Sequence, residues 1–98
     1  NTMRFNKEFA KERLAWICEI LGLLDSEMSL DTAADRAADG IQKLTEDLGL
    51  PSRLQDVGVE KSDFPALADD ALQDLIVATN PRPVTSPEMV MELLEQAF

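Results

Sequence analysis

The stretch Asp31–Leu48, with the sequence DTAADRAADGIQKLTEDL, gives the clearest indication of the fold. Its apolar side chains recur at intervals of three and four residues, at Ala34, Ala37, Ile41, Leu44 and Leu48. Positions with this spacing lie on one face of an α-helix, so the pattern predicts an amphipathic helix with Asp31 as its N-cap. We expect the alanines to allow close packing and the larger side chains to provide most of the burial. Gly49 followed by Pro51 predicts the end of this helix.

The segment before this helix carries a similar pattern. Asn6 is a suitable N-cap for a first helix that ends at Gly22 or in the short acidic loop after it. The expected apolar face of this helix consists of Phe9, Leu14, Ile17, Ile20 and Leu21. Trp16 has a helical spacing to this set, which favours a place in the core over a role as a platform for a ligand.

Two more helices are predicted downstream. The third begins at Ser62 or Asp63 and ends before Asn80, because the residue that precedes a proline disfavours the helical conformation. The fourth begins at Thr85 or Ser86. The expected apolar face of the third helix consists of Phe64, Leu67, Ala68, Ala71, Leu72, Leu75 and Ile76. That of the fourth consists of Val90, Leu93, Leu94 and Ala97.

No stretch alternates with the two-residue period of a β-strand. The sequence therefore predicts an all-α fold, in which four main helices and short turns form a small bundle. Its length of 98 residues allows one domain, so residues 1–98 are predicted to be a single helical domain. Because the chain begins at Asn1 rather than at methionine, we expect this domain to be a fragment of a larger helical domain.

The composition excludes several classes of partner. Nine Lys and Arg stand against 19 Asp and Glu, which gives a net charge of −10. Nucleic acids and anionic membranes require clustered cations, and the sequence has no basic stripe, so we expect neither as a partner. No apolar run is long enough for a membrane span and no signal peptide is recognisable, which favours the cytoplasm.

The sequence offers few groups for catalysis or for metal binding. It contains no histidine, and its single cysteine, Cys18, is predicted to pack as a small apolar side chain. Two carboxylate pairs, Asp35 with Asp39 and Asp70 with Asp74, lie one helical turn apart. Without a histidine or an acidic loop of fixed spacing, we interpret them as solvent-facing charges rather than as a metal site. The glycines are isolated, so no phosphate-binding loop is present. We therefore assign no catalytic, cofactor-binding or metal-binding residue.

The segment Asn80-Pro81-Arg82-Pro83 predicts a stiff corner between the last two helices. Each proline fixes one backbone φ angle and removes one hydrogen-bond donor. The side chain of Asn80 is suited to bind neighbouring backbone, and the Arg82 guanidinium is suited to a carboxylate. Such a corner directs the last helix back across the bundle.

Four motifs lie in one order along nearly the whole chain: MRFN at Met3–Asn6, ICEILG at Ile17–Gly22, LGLPSRLQDVGV at Leu48–Val59 and TNPRPV at Thr79–Val84. Together they resemble the C-terminal end of the iron-containing (group III), NAD(P)-dependent alcohol dehydrogenases. The resemblance implies an oxidoreductase that interconverts alcohols and aldehydes. In that family an N-terminal α/β domain binds NAD(P), and a helical C-terminal domain binds iron through an Asp and three His.

By this resemblance, all of the metal ligands lie upstream of Asn1, and the chain binds neither the iron (or another divalent metal) nor NAD(P). Its partner is then the remainder of the parent enzyme, namely the upstream metal-binding helices and the dinucleotide-binding domain. The end of the third helix would approach the substrate side of the iron site. The resemblance thus implies that Ile76, Thr79 and Asn80 form part of the wall of the substrate pocket, and that the chain alone is inactive.

Two alternatives accompany this interpretation. The ordered helix caps and amphipathic faces also suit a free-standing helical module for protein interactions. Within the enzyme class, maleylacetate reductases carry a similar Asn-Pro-Arg-Pro turn, so a fragment of such an enzyme is the second alternative. If the chain is a fragment, we expect an exposed apolar face and self-association through that face.

Overall fold

A computed structural model describes all 98 residues, and every regular element in it is helical. The four main helices are α1 (Thr2–Ile20), α2 (Leu30–Asp47), α3 (Phe64–Gln73) and α4 (Pro87–Ala97). Three single 3₁₀ turns accompany them, at Leu54–Val57, Lys61–Asp63 and Val77–Thr79. The predicted all-α class with four main helices is confirmed. None of the helices is both long enough and apolar enough to cross a membrane.

The chain divides into two compact units, Asn1–Leu50 with α1 and α2, and Pro51–Phe98 with α3 and α4. Each unit is described by itself below. The assignment of residues 1–98 to one domain stays a prediction.

In the first unit, α1 begins earlier than predicted and is kinked. The amide of Phe5 donates to the carbonyl oxygen of Asn1 at 2.9 Å, so the helical hydrogen bonds start at Asn1, and Asn6 is a buried residue inside the helix rather than its cap. At Ala10 the backbone leaves the helical region, with φ −143° and ψ 23°. This kink separates a first arm, residues 2–9, from a second arm, residues 11–20.

The two arms of α1 run in opposite directions along α2. In the first arm, Arg4 forms an ion pair with Asp39, and Lys7 lies 3.2 Å from Asp35, so this arm is antiparallel to α2. The second arm starts at Lys11, beside the first turn of α2, and leads to Leu23, next to Gly40. It therefore runs in the same direction as α2, and both arms lie against the alanine face of that helix.

The N-cap of α2 is Ser29, two residues before the predicted cap. The Ser29 hydroxyl is the cap and accepts a hydrogen bond from the amide of Thr32 at 3.2 Å, because Asp31 is already inside the first turn. Small side chains form the core between α1 and α2. The core consists of Leu14, Ala15, Cys18, Ala33, Ala34 and Ala37. Cys18 is fully buried there, as predicted for a small apolar side chain.

Several large side chains that were predicted to be buried are exposed. Leu44 and Leu48 have 47% and 64% of their surface exposed, because both lie on the last turns of α2, past the ends of the two α1 arms. On α1, Phe9, Trp16 and Ile20 are exposed, since the second arm buries the opposite face of the helix. The burial in this unit is therefore provided by the alanine face rather than by the leucines.

In the second unit, α3 packs against α4 around one aromatic residue. Asp63 is the N-cap, as predicted, and the next residue, Phe64, has 2% of its surface exposed. Its ring meets the ring of Phe98 edge to face, with the centroids 5.7 Å apart. Lys61 lies over the same Phe98 ring at 5.2 Å and binds Glu95 at 2.6 Å, so the end of α4 is held against the start of α3.

Helix α3 ends at Gln73, well before the predicted end at Asn80. Asp74 is extended, with φ −77° and ψ 123°, and its carboxylate accepts the amide of Ile76 at 2.8 Å. This hydrogen bond offers the backbone a local alternative to the next helical turn. Leu75 and Ile76 consequently lie outside α3 and are exposed, rather than on its apolar face.

Helix α4 agrees better with the sequence. Ser86 is its N-cap residue and Pro87 its first residue, as predicted. The side chains expected on its buried face are half-buried: Val90, Leu93, Leu94 and Ala97.

Candidate functional site

The segment that was predicted to contact a substrate lies between α3 and α4, and residues 74–86 are called the α3–α4 corner below. Its first part is a single 3₁₀ turn, Val77–Thr79. The Asp74 carboxylate accepts a hydrogen bond from the amide of Ile76, directly before this turn. The Thr79 hydroxyl donates a hydrogen bond to the Ile76 carbonyl oxygen at 2.7 Å and closes this turn. The backbone of the first half of the corner is thus held by two side chains.

The second part of the corner is stiffened by its two prolines. The side-chain amide of Asn80 donates a hydrogen bond to the carbonyl oxygen of Arg82 at 2.6 Å, across Pro81. This is the contact with neighbouring backbone that the sequence predicts for Asn80. With Pro83 following, two φ angles are fixed, and the chain passes to α4 through a bend without regular secondary structure.

The three residues of the predicted pocket wall differ in what they present to their surroundings. The hydroxyl of Thr79 and the amide of Asn80 are both used in hydrogen bonds within the corner. Ile76, in contrast, has 76% of its surface exposed at the start of the turn. Of these three residues, only Ile76 offers a free apolar side chain, on a backbone that the other two hold in place. The role of these residues as a pocket wall stays a prediction.

A ladder of ion pairs joins α1 to α2, which the sequence did not predict as such. Lys7 lies 3.2 Å from both Asp31 and Asp35, and Lys11 lies 3.1 Å from Asp31. Arg4 pairs with Asp39 at the far end of the ladder. Asp35 and Asp39 are thus solvent-facing, as predicted, and each also forms an ion pair with α1.

The ion pairs of this ladder shift the pKa values of Asp31 and Lys7. Hydrogen bonds from Lys11 and then from Lys7 lower the pKa of the Asp31 carboxyl. Hydrogen bonds to Asp31 and then to Asp35 raise the pKa of the Lys7 ammonium group. Both shifts stabilise the charged forms, so Asp31 and Lys7 are ionised at neutral pH. The signal in the sequence was the matched spacing of cations at three and four residues in α1 and of aspartates at four residues in α2.

The second carboxylate pair does not form a site either. Asp70 is exposed on α3, and the Asp74 carboxylate is used to accept the Ile76 amide. Across the chain no three Asp, Glu, Cys or His side chains come together as metal ligands, and Cys18 is fully buried. With no histidine as well, the donors of this chain do not fit an iron centre.

The first unit also contains an open groove of about 360 Å³ beside the start of α2. Its lining combines both signs of charge with two hydroxyl groups, and consists of Asp25, Glu27, Met28, Ser29, Thr32 and Arg36. The Arg36 guanidinium also donates a hydrogen bond to the carbonyl oxygen of Leu23 at 3.4 Å. This mixture does not select one class of ligand.

Comparison with known proteins gives a consistent result along the whole chain. The sequence profile of the Fe-containing alcohol dehydrogenase family, C-terminal part, matches residues 1–98. Lactaldehyde reductase of Escherichia coli K12 is 39% identical over 98 residues, which is 100% of this chain and 25% of that protein. The 1,3-propanediol dehydrogenase of Citrobacter freundii is 37% identical over 95 residues, 97% of this chain and 24% of that protein. The NAD-dependent methanol dehydrogenase of Bacillus methanolicus is 36% identical over 94 residues, 96% of this chain and 24% of that protein.

Solved structures agree with these sequences. A crystal structure of a 1,3-propanediol oxidoreductase superposes with a TM-score of 0.92 and 34% identity, over 98% of this chain and 25% of that one. An alcohol dehydrogenase from Oenococcus oeni superposes with a TM-score of 0.88 and 29% identity, over 96% of this chain and 24% of that one. The chain thus spans about a quarter of the length of the relatives it matches. By sequence and by fold, it belongs to the Fe-containing alcohol dehydrogenase family and corresponds to the C-terminal region of that family.

Proposed function

We propose that this chain is the C-terminal helical part of an NAD(P)-dependent, iron-type alcohol dehydrogenase that interconverts alcohols and aldehydes in the cytoplasm. The observation that carries the proposal is the match of the family's C-terminal profile to all 98 residues. The names of the relatives support the reaction class, since lactaldehyde, 1,3-propanediol and methanol are all small alcohols or aldehydes. A maleylacetate reductase is the alternative within this class.

In this proposal the metal and the dinucleotide are bound by the larger, upstream part of the enzyme. The donors of this chain do not fit an iron centre, and its glycines do not form a phosphate-binding loop. One relative is named for its use of NAD, which supports the choice of cofactor for the parent protein. The contribution of this chain is then the shape of the pocket rather than the chemical step.

The residue that we assign to the pocket wall with the strongest support is Ile76. It is exposed, it is apolar, and it lies on a turn that Asp74 and Thr79 fix by hydrogen bonds. An apolar side chain on a rigid backbone suits the apolar part of a small alcohol, because such pockets gain specificity from fixed shape. Thr79 and Asn80 act in this proposal by holding the wall in position.

A chimeric enzyme tests the proposal. The 98 matched residues of E. coli lactaldehyde reductase are replaced by this chain, and NAD(P)-linked turnover is measured with lactaldehyde, 1,3-propanediol and methanol in the presence of Fe²⁺. We expect turnover by the chimera and none by the 98-residue chain alone. Turnover by the isolated chain, at a rate that follows its concentration, would contradict the division of labour proposed here.

The pocket wall is tested in the same chimera with Ile76→Ala. A lost apolar contact in a substrate pocket changes kcat/KM by about tenfold or more. Leu75→Ala is the matched control, because Leu75 is the adjacent apolar side chain and is 85% exposed. Equal effects of the two substitutions on kcat/KM, or no effect of either, would remove Ile76 from the wall.

A further inference from the structure

The last turns of α2 expose an apolar surface that consists of Leu44 and Leu48. It continues the face on which Ala33 and Ala37 are fully covered by α1. Within one helix the same face is therefore buried at its start and open at its end. Leu48 has 64% and Leu44 has 47% of its surface exposed, so the two leucines form one exposed apolar surface in line with the core.

The register of the ion-pair ladder explains where the cover stops. Arg4 lies beside Asp39 and Lys7 beside Asp35, so each step back along the first arm of α1 is a step forward along α2. Continued to the first residue, this register brings Asn1 level with residues 41–42 of α2, where Ile41 is half-buried. At a rise of 1.5 Å per residue, Leu48 lies about 10 Å further along α2.

The second arm of α1 ends at the same level. Leu21 and Leu23, which follow this arm, lie beside Gly40, where an added Cβ would come within 2.9 and 2.7 Å of their Cδ1 atoms. Neither arm therefore reaches Leu44 or Leu48. A backbone that continued the path of the first arm beyond Asn1 would, however, pass directly along both leucines.

We propose that the Leu44–Leu48 surface binds the segment that immediately precedes position 1 in the full-length enzyme, and that this segment extends the first arm of α1 along α2. The inference rests on the proposed function, because only a chain of the relatives' length contains such a segment. The relatives are about four times as long as the matched region, and the profile that matches is the C-terminal one. About seven helical residues with an apolar face would be enough to cover the 10 Å.

Thiol reactivity tests this inference without any assay of activity. Leu48→Cys is made in the 98-residue chain and in the same chain extended by about 20 residues, three times the helical length required. The extension is the segment that directly precedes the matched region in E. coli lactaldehyde reductase. Cys18 is fully buried and is the only other thiol, so its lack of reaction with Ellman's reagent reports that the first unit is folded.

We expect the extension to slow the reaction of Leu48→Cys by about tenfold, as for a site that reacts only through local opening. Leu24→Cys is the matched control, because Leu24 is 46% exposed in the loop between α1 and α2, and its rate should not change. If the Leu48→Cys substitution makes Cys18 reactive in the extended chain, the two chains are compared without substitution by amide hydrogen exchange. Residues 44–50 should then exchange more slowly in the extended chain than in the 98-residue chain.

Equal reactivity of Leu48→Cys in both chains with Cys18 protected, or equal amide exchange, overturns the inference. So does a Leu48→Cys thiol that is already protected in the 98-residue chain and becomes reactive on dilution, since a second copy would then cover the surface. Because none of these readouts involves turnover, they are independent of the chimera test. An inactive chimera with a protected Leu48→Cys thiol would count against the proposed activity and not against the docking surface.

Discussion

Phe64 is the residue on which the second unit depends most. It is the largest fully buried side chain of the chain, and its ring meets that of Phe98 edge to face at 5.7 Å. Replacing a buried phenylalanine by alanine costs about 3–5 kcal/mol, because apolar contacts are lost and a cavity remains. At about 0.05–0.15 kcal/mol per residue, a unit the size of residues 51–98 is stable by only about 2–7 kcal/mol, so Phe64→Ala should unfold a large part of it at room temperature.

Phe64→Leu separates the two contributions to this loss. Leucine keeps most of the apolar volume but cannot form the edge-to-face contact, which is worth about 0.5–1.5 kcal/mol beyond burial. We therefore expect a loss of stability of about 1–2 kcal/mol for this variant. Leu75→Ala is the control at an 85% exposed site, where the change should stay within about 0.5 kcal/mol.

The measurement is urea unfolding followed by the helical signal in circular dichroism. Fluorescence is less useful, because the single tryptophan, Trp16, lies in the first unit. A loss below about 1 kcal/mol for Phe64→Ala would refute the reasoning, since no fully buried aromatic side chain is removed that cheaply. It would mean that Phe64 is not the centre of this core.

Two further outcomes are expected in the first unit. The lowered pKa of Asp31 means that its ion pairs contribute stability above its ordinary value of 3.8 and are lost as the pH falls through the folded-state value. The raised pKa of Lys7 means that its ion pairs contribute stability below its ordinary value of 10.5 and are lost as the pH rises through the folded-state value. The free energy of unfolding, measured across a pH series, should therefore decline at both the acid and the alkaline end. Lys7→Gln should make both declines smaller. Gly40→Ala should gain less than the roughly 1 kcal/mol usual in a helix, because the added Cβ meets Leu23 at 2.7 Å. Part of the gain should return in a Leu23→Ala background, since Leu21 still meets the added Cβ at 2.9 Å; equal gains in both backgrounds would contradict the Leu23 contact.

The helical periodicity of residues 31–48 predicted α2 correctly but not which part of its face is buried. Spacing shows that Ala34, Ala37, Leu44 and Leu48 share one side of a helix. How far the neighbouring helix extends along that side depends on tertiary structure, and here it ends level with Ile41. The alanines that seemed secondary are the core, and the leucines that seemed central are exposed.

The two helix ends that the sequence misplaced have different causes. The kink at Ala10 lies among good helix formers, with neither proline nor glycine nearby, so no local signal reveals it. The end of α3 did have a signal, because an aspartate can accept the amide two residues on and stop a helix, as Asp74 does with Ile76. The prediction instead placed the end of α3 just before Asn80, because Pro81 follows that residue.

The early end of α3 also changes how the α3–α4 corner can contribute to a substrate pocket. On a continuous helix, Ile76 would follow Ala68 and Leu72 at four-residue spacing, beside Leu72, which is half-buried in this unit. The Asp74 hydrogen bond turns it out of the helix instead, and the Thr79 hydroxyl fixes the turn that holds it there. An isoleucine exposed in this way gains burial only from a contact outside the unit. Such a contact would form if the upstream part of the enzyme encloses the corner, which makes Ile76 the candidate for the pocket wall with the strongest support.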